Sequence, residues 1–288
     1  MTRWVLLALS TALATSALAP AVLSVLHRHG AMDVPNHRSS HTVPTIRGGG
    51  IACLIAIVVC AAGAHWLGMG VPWWALTAAV AMALLGLVTD LWDLPPLPRL
   101  LLQVLTGAAL GAVLDGPGSL LLGAIAFPVL INAVNFMDGI NGITGLTVTA
   151  WATITVCFGP SHGTAVLLVL AGSAAAGFLP WNVPHARMFL GDCGSYLFGA
   201  LIAASVVNDR VTGGSGWLLL APLLPYLADT GVTLLRRALR GEDVTQPHRE
   251  HLYQRLVHNR GWSHTRVALL YAGLALACGA GAHLLASV

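Results

Sequence analysis

Apolar residues run along this chain in long blocks. They do not form the 3.6-residue stripe of a surface helix or the alternation of a half-buried strand. Ten blocks fall near residues 4–26, 49–69, 72–89, 99–114, 117–135, 143–158, 164–180, 193–207, 217–235 and 266–286, and each ends at a charged, proline-rich or glycine-rich break. A membrane-spanning helix needs about 20 mainly apolar residues. The pattern therefore predicts an all-α, polytopic integral membrane protein of about 10 (10–11) transmembrane helices. Residues 1–288 read as one domain, with a long polar loop at about 236–265. The first block imitates a signal peptide, with Arg3 ahead of it and Ala17-Leu18-Ala19 within it. Its apolar run continues through Leu26, so it is read as a retained helix.

Composition agrees. Of the 288 residues, 56% are hydrophobic and only 9% charged, with a mean hydropathy of +0.78. A soluble domain averages roughly 25% charged residues, so this chain could not clothe a soluble surface. All 14 basic residues are arginine, and the formal net charge of +3 is too slight to argue for nucleic acid. Cys53, Cys60, Cys157 and Cys278 sit in apolar runs, Cys193 alone lies in a polar context, and no CxxC spacing occurs.

Arginine placement sets the orientation. With ten spans and an outward N-terminus, twelve arginines lie inside and only Arg3 and Arg210 outside. The acids follow: Asp33, Asp90, Asp93, Asp138, Asp192, Glu242, Asp243 and Glu250 are inside, Asp229 lies within the ninth span, and Asp115 and Asp209 are outside. The chemistry is thus expected on the cytoplasmic face. A transporter commonly places ionisable groups at the midplane and shows inverted repeats. Neither sign is visible, and a transporter or flippase for an anionic lipid-linked sugar is the alternative.

Five inner polar segments hold the candidate chemistry. Asp33-Val-Pro-Asn-His-Arg38-Ser-Ser-His41 leads to Arg47-Gly48-Gly49-Gly50 at the start of the second span. Glycine amides at a helix N-terminus beside Arg47 make a phosphate cradle; the competing reading is a loop that only fixes topology. Thr89-Asp90 closes the third span, where Asp90 either holds a divalent ion or pairs with Arg99. Asn132, Asn135 and Asp138 recur every three residues and share a broad helix face. That set suits oxygen coordination of Mg²⁺ or hydrogen bonds to a nucleotide, against a polar seam between two helices. Gly191-Asp192-Cys193-Gly194-Ser195 opens the eighth span with a carboxylate at a helix N-terminus. Its glycines suit close approach by a ligand or another backbone. Last, His248-Arg249-Glu250-His251 within 236–265 admits zinc, which lacks a third ligand. It also admits an amphipathic segment on anionic lipid, or phosphate binding by His248, Arg249, His251 and Arg255.

Taken in this order, the five segments resemble the polyprenyl-phosphate N-acetylhexosamine-1-phosphate transferases. Within that superfamily, the Arg-Ser-Ser-His loop and the His-Arg-x-His-x-Tyr-Gln segment are similar to the O-antigen-initiating, undecaprenyl-phosphate branch. The resemblance implies that an undecaprenyl-phosphate oxygen attacks the β-phosphorus of a UDP-N-acetylated sugar and UMP leaves. It implies Mg²⁺ (or Mn²⁺) held by Asp192 and Asp138, and catalytic roles for Asp90, Asp138 and Asp192. Substrate would be bound by Arg47, Asn132, Asn135, Arg249 and His251. The expected partners are undecaprenyl phosphate, the UDP-sugar, the bilayer and, as an option, a second copy in a homodimer. The expected place is the bacterial inner membrane. Two departures stand out. The family's early acidic motif is commonly Asp-Asp and here aligns with Thr89-Asp90. Its late motif commonly continues His-x-His-His and here reads His251-Leu252-Tyr253-Gln254.

Overall fold

The computed structural model describes residues 1–35, 43–92, 94–246 and 248–287. Arg38-Ser39-Ser40-His41, with His37 and Asp93, lies outside the described residues. The helices are α1 (Thr2–Arg28), α2 (Gly50–Trp66), α3 (Trp73–Trp92), α4 (Pro96–Asp115), α5 (Pro117–Met137) and α6 (Ile143–Val156). They continue as α7 (His162–Asn182), α8 (Gly191–Val211), α9 (Leu224–Leu239), α10 (Leu252–Arg260) and α11 (His264–Ala286), with a tighter helical stretch, Trp217–Leu223, leading into α9.

Seven helical stretches are long and apolar enough to cross a membrane: α1, α3, α4, α5, α7, α11 and the continuous run Trp217–Leu239. The sequence predicts about ten, and the other three fail for separable reasons. α2 and α6 are apolar but short, at 17 and 14 residues. α8 has 21 residues, but Asp192, Asp209 and Arg210 interrupt its ends. From Cys193 to Asp209 every residue of α8 is buried. It is the axis of the bundle, sheathed by α3 and α5, so it need not be lipophilic.

Small residues bring the helices together. A Cβ on Gly50 of α2 would strike the backbone of Gly194 on α8, and one on Gly86 of α3 would strike the backbone of Asp192. Gly107 of α4 and Gly123 of α5 exclude each other's Cβ reciprocally. Such approach is how membrane helices gain contact where burial in lipid gives no hydrophobic driving force. α1 belongs to the same bundle, with Trp181 Nε1 of α7 donating to Ser16 Oγ at 3.2 Å.

One element escapes an all-α reading. Strands β1 (Met32–Asp33), β2 (Thr45–Arg47) and β3 (Met188–Phe189) form a small sheet. β1 and β2 are antiparallel, while β2 and β3 are parallel with Ile46 opposite Met188 and Arg47 opposite Phe189. These runs are too short to carry a period-2 signal. The sheet ties the first polar segment to the one that opens α8, at the end of the bundle where the arginines gather.

Candidate active site

Backbone geometry builds the frame. Gly49 N–H donates to Phe189 O and Gly50 N–H to Leu190 O, both at 2.8 Å. The amides expected to cradle a phosphate are therefore taken by the strand leading into α8. Those glycines let two helix N-termini approach each other. Gly191, at φ +75°, closes the junction, where a Cβ would meet Asp90 Oδ2 and Gly48 N.

Asp90 locks this frame. Its Oδ1 accepts from Asp192 N–H and its Oδ2 from Cys193 N–H, each at 3.0 Å. Arg47 Nε lies 3.3 Å from Oδ1, and Arg47 Nη2 donates to the Asp90 carbonyl at 2.8 Å. The side chain is only 5% exposed. A carboxylate from α3 thus caps the first turn of α8, where free amides and the helix dipole favour an anion. Of the two sequence readings, Asp90 makes an ion pair, but with Arg47 and not Arg99. Thr89 faces away, its hydroxyl donating to Leu85 O of its own helix at 3.0 Å.

Asp192 sits one residue into α8 on a different axis. Asn135 Nδ2 donates to its Oδ1 at 3.0 Å and to Ser195 Oγ at 2.9 Å. Arg99 Nη1 stands 3.6 Å from Oδ2 and 3.4 Å from the Tyr196 hydroxyl. Asp192, Asn135, Asp138 and Arg47 all line one cavity of about 280 Å³, with Gln254 and His264 completing its wall. Asp138 caps the end of α5, its N–H reaching Asn135 O at 3.2 Å. Burial, reinforced by the charges of Asp192 and Asp90, pushes its carboxyl up to about 7.

Three other expected residues lie elsewhere. Asn132 donates to Gln103 Oε1 of α4 at 2.6 Å and to Pro128 O at 2.7 Å, which is the polar seam between helices. Arg249 lines a separate hollow with Arg236, Arg240 and Arg255. His251 is 2% exposed and lies 3.5 Å from Asp229 Oδ1, its ring facing Phe136 and His248. Asp229 is the hub that sequence reasoning passed over. It accepts from Leu252 N–H at 2.7 Å, Tyr253 N–H at 3.2 Å and the Tyr271 hydroxyl at 2.6 Å, and so anchors α10 to α9 and α11. Tyr253 in turn donates to Phe136 O at 2.9 Å, bringing Gln254 to the cavity. A lone acid in an apolar span was the available signal, because such a group must find partners. Arg99 was also missed as a cavity neighbour: four residues of proline-rich chain hide how close it lies to α8.

Three carboxylates line the cavity, Asp33, Asp138 and Asp192, with the carboxamides of Asn135, Asn141, Asn182 and Gln254. Among the described residues no group of three or more His, Cys, Asp or Glu is arranged to hold a metal ion. The pair Asp138 and Asp192 fits Mg²⁺, which uses one or two carboxylates and fills its shell with water and substrate phosphates. They do not fit zinc, whose structural sites are closed by four protein ligands.

Comparison with known proteins converges on one family. Residues 72–208 match the profile of glycosyl transferase family 4. The decaprenyl-phosphate N-acetylglucosaminephosphotransferase of Mycobacterium tuberculosis is 29% identical over 92% of this chain and 78% of its own length. The protein of that name in Mycolicibacterium smegmatis is 30% identical over 84% of this chain and 72% of its own. A probable undecaprenyl-phosphate N-acetylglucosaminyl 1-phosphate transferase of Bacillus subtilis is 27% identical over 83% and 73%. The matched span holds Asp90, Asn135, Asp138 and Asp192, the residues that the fold gathers at one end of α8. The chain belongs to glycosyl transferase family 4, the superfamily of polyprenyl-phosphate N-acetylhexosamine-1-phosphate transferases.

Proposed function

We propose that this protein transfers an N-acetylated sugar 1-phosphate from a UDP-sugar to undecaprenyl phosphate. An oxygen of the lipid phosphate forms a bond to the β-phosphorus of the donor. The bridging bond from that phosphorus to the α-phosphate oxygen breaks, and UMP leaves with the electron pair. Undecaprenyl diphosphate sugar stays in the membrane. The acceptor needs no base, because a phosphate monoester is largely ionised near neutral pH. The observation that carries this reading is the cavity where Asp138, Asp192, Asn135 and Arg47 meet at the arginine-rich end of the bundle.

Phosphoryl transfer is catalysed mainly by positioning and charge neutralisation. Asp192 and Asp138 would hold Mg²⁺ (Mn²⁺ meets the same donors), which supplies charge neutralisation to the diphosphate. Asn135 orients Asp192 through its amide, and Arg99 stands on the far side of that carboxylate. Arg47, anchored by Asp90, offers its guanidinium to phosphate oxygens. Asp90 has both oxygens engaged by backbone amides; its part is to hold the frame on which Arg47 and Asp192 stand.

The arginine-rich end would face the cytoplasm of the bacterial inner membrane, in keeping with the positive-inside rule. The His-Arg-x-His-x-Tyr-Gln segment supports a place at the start of O-antigen or another envelope polysaccharide. The test is an assay with the purified protein, undecaprenyl phosphate, Mg²⁺ and a panel of UDP-N-acetylhexosamines, monitoring UMP. Release with one donor, dependent on both lipid and metal, is expected. Silence across the panel, with decaprenyl phosphate tried as well, overturns the reading.

A further inference from the structure

A second basic site lies outside the cavity. Arg237 Nη1 is 2.8 Å from Glu250 and 2.9 Å from Glu242. Arg240 holds the same two acids, its Nε 2.7 Å from Glu242. These two carboxylates balance Arg237 and Arg240. Arg236, Arg249 and Arg255 form no ion pair with any described residue. Yet all three line one hollow of about 360 Å³, with Arg240, Glu250, Asn259 and Thr233. Glu250 is already shared by Arg237 and Arg240, so four arginines against one acid leave the hollow net positive and call for an anion.

The hollow opens onto an apolar groove of about 490 Å³ between α9 and α11, and Thr233, Arg236, Glu250 and Arg255 border both. Val232, Leu252, Leu270 and Leu274 line that groove and are exposed. A charged pocket capping a bare apolar groove matches an amphiphile with one anionic end.

We propose that this is a binding site for an anionic phospholipid of the surrounding leaflet. Its phosphate is held by Arg236, Arg249 and Arg255, and an acyl chain lies along the α9–α11 groove. Basic pockets between membrane helices bind such head groups, and guanidinium forks suit phosphate oxygens. A soluble anion would satisfy the arginines and leave the leucines bare. The acceptor lipid is the poorer fit, because no residue of this hollow lines the Asp138–Asp192 cavity. The site does not depend on the transferase reading.

The test uses the full chain in nanodiscs of phosphatidylcholine doped with a minority of phosphatidylglycerol, with retained lipid read by native mass spectrometry. The wild type should retain phosphatidylglycerol in preference to phosphatidylcholine. R236Q/R255Q should lower that retention by roughly tenfold, while R3Q/R210Q, which removes two arginines from the opposite end, should not. Equal loss in the two double variants overturns the proposal, as does wild-type retention without headgroup preference. Displacement of phosphatidylglycerol by undecaprenyl phosphate, or by inorganic phosphate, overturns it too and identifies the true occupant. If R236Q/R255Q does not fold, R236Q alone is read against the same outcomes.

Discussion

At the end of the bundle away from the arginines, the carboxylate of Asp209 accepts from Ser161 N–H at 2.9 Å and Gly216 N–H at 3.1 Å. It is 2% exposed and stitches two connections to α8. At the other end of α8, Asp90 does the same work on Asp192 and Cys193. At that end Asp138 and Asp192 line the cavity with Asp33, whereas Asp209 borders a small hollow of about 100 Å³ with both its oxygens on backbone amides. A buried acid in a membrane bundle is thus not a site by itself. What separates the two ends is the partner of the acid beside the hollow: backbone amides hold Asp209, whereas side chains, Asn135 and Arg99, hold Asp192.

Asp192→Asn should break the comparison hardest. It keeps the shape and the Asn135 contact geometry but removes the charge. UMP release should fall by about 10²–10³-fold, the scale of losing one preorganised electrostatic contact, with the folded fraction unchanged by thermal melting. Full activity would remove the metal assignment. Asp90→Asn comes next and should behave differently, because one acceptor oxygen and the charge behind two amides are lost. Stability should drop by roughly 1–3 kcal/mol, and activity should fall with it through kcat more than KM, since Arg47 loses its anchor. An Asp90→Asn protein that melts like the wild type would mean the carboxylate is not a cap.

The folded bundle was legible in the blocks of apolar residues, and the cavity acids Asp138 and Asp192 in their Asx-Gly and Gly-Asp-x-Gly settings. Asn132 shows the limit. Period-three spacing put it on one face with Asn135 and Asp138, but α4 brings Gln103 against that part of the face. His251 shows another limit: its partner Asp229 is 22 residues earlier in the chain and inside a span, so only tertiary packing joins them. The Gly48-Gly49-Gly50 run was ambiguous locally, because both a ligand and a neighbouring helix require the same missing side chains.

Protonation offers a graded test at the cavity end. The Asp138 carboxyl titrates at about 7 in the folded protein and 3.8 as its ordinary value. Between those values the folded state binds a proton that the unfolded chain does not, so this group's contribution to stability is present below pH 4 or so and is lost as pH rises through about 7. Metal-free wild type should therefore melt lower as pH rises across that window, and Asp138→Asn should flatten the slope. Activity has the opposite sign: UMP release should fall as pH drops, because the protonated acid cannot serve a cation, and added Mg²⁺ should move that fall below pH 7 by favouring the ionised acid. Asp209→Asn, at the other end, should cost about 1–2 kcal/mol of stability and leave the turnover of the folded protein and its pH profile unchanged. A change in that profile would erase the distinction between the ends.

The smallest effect is expected at the polar seam, and it sharpens the comparison from the other direction. Asn132 and Gln103 meet each other inside the bundle, and Gln103 Nε2 has no hydrogen-bond partner among the described residues. Hydrogen bonds between membrane helices average about 0.6 kcal/mol, and replacing both partners by apolar groups of similar shape is close to neutral. Q103L/N132L should therefore melt near the wild type and retain its rate of UMP release. Asn132→Leu alone leaves the Gln103 amide stranded and should be the less stable protein of the two. A double variant that folds but loses turnover would return Asn132 to the substrate, and the line between framing and cavity groups would have to be redrawn one helical turn further into the membrane.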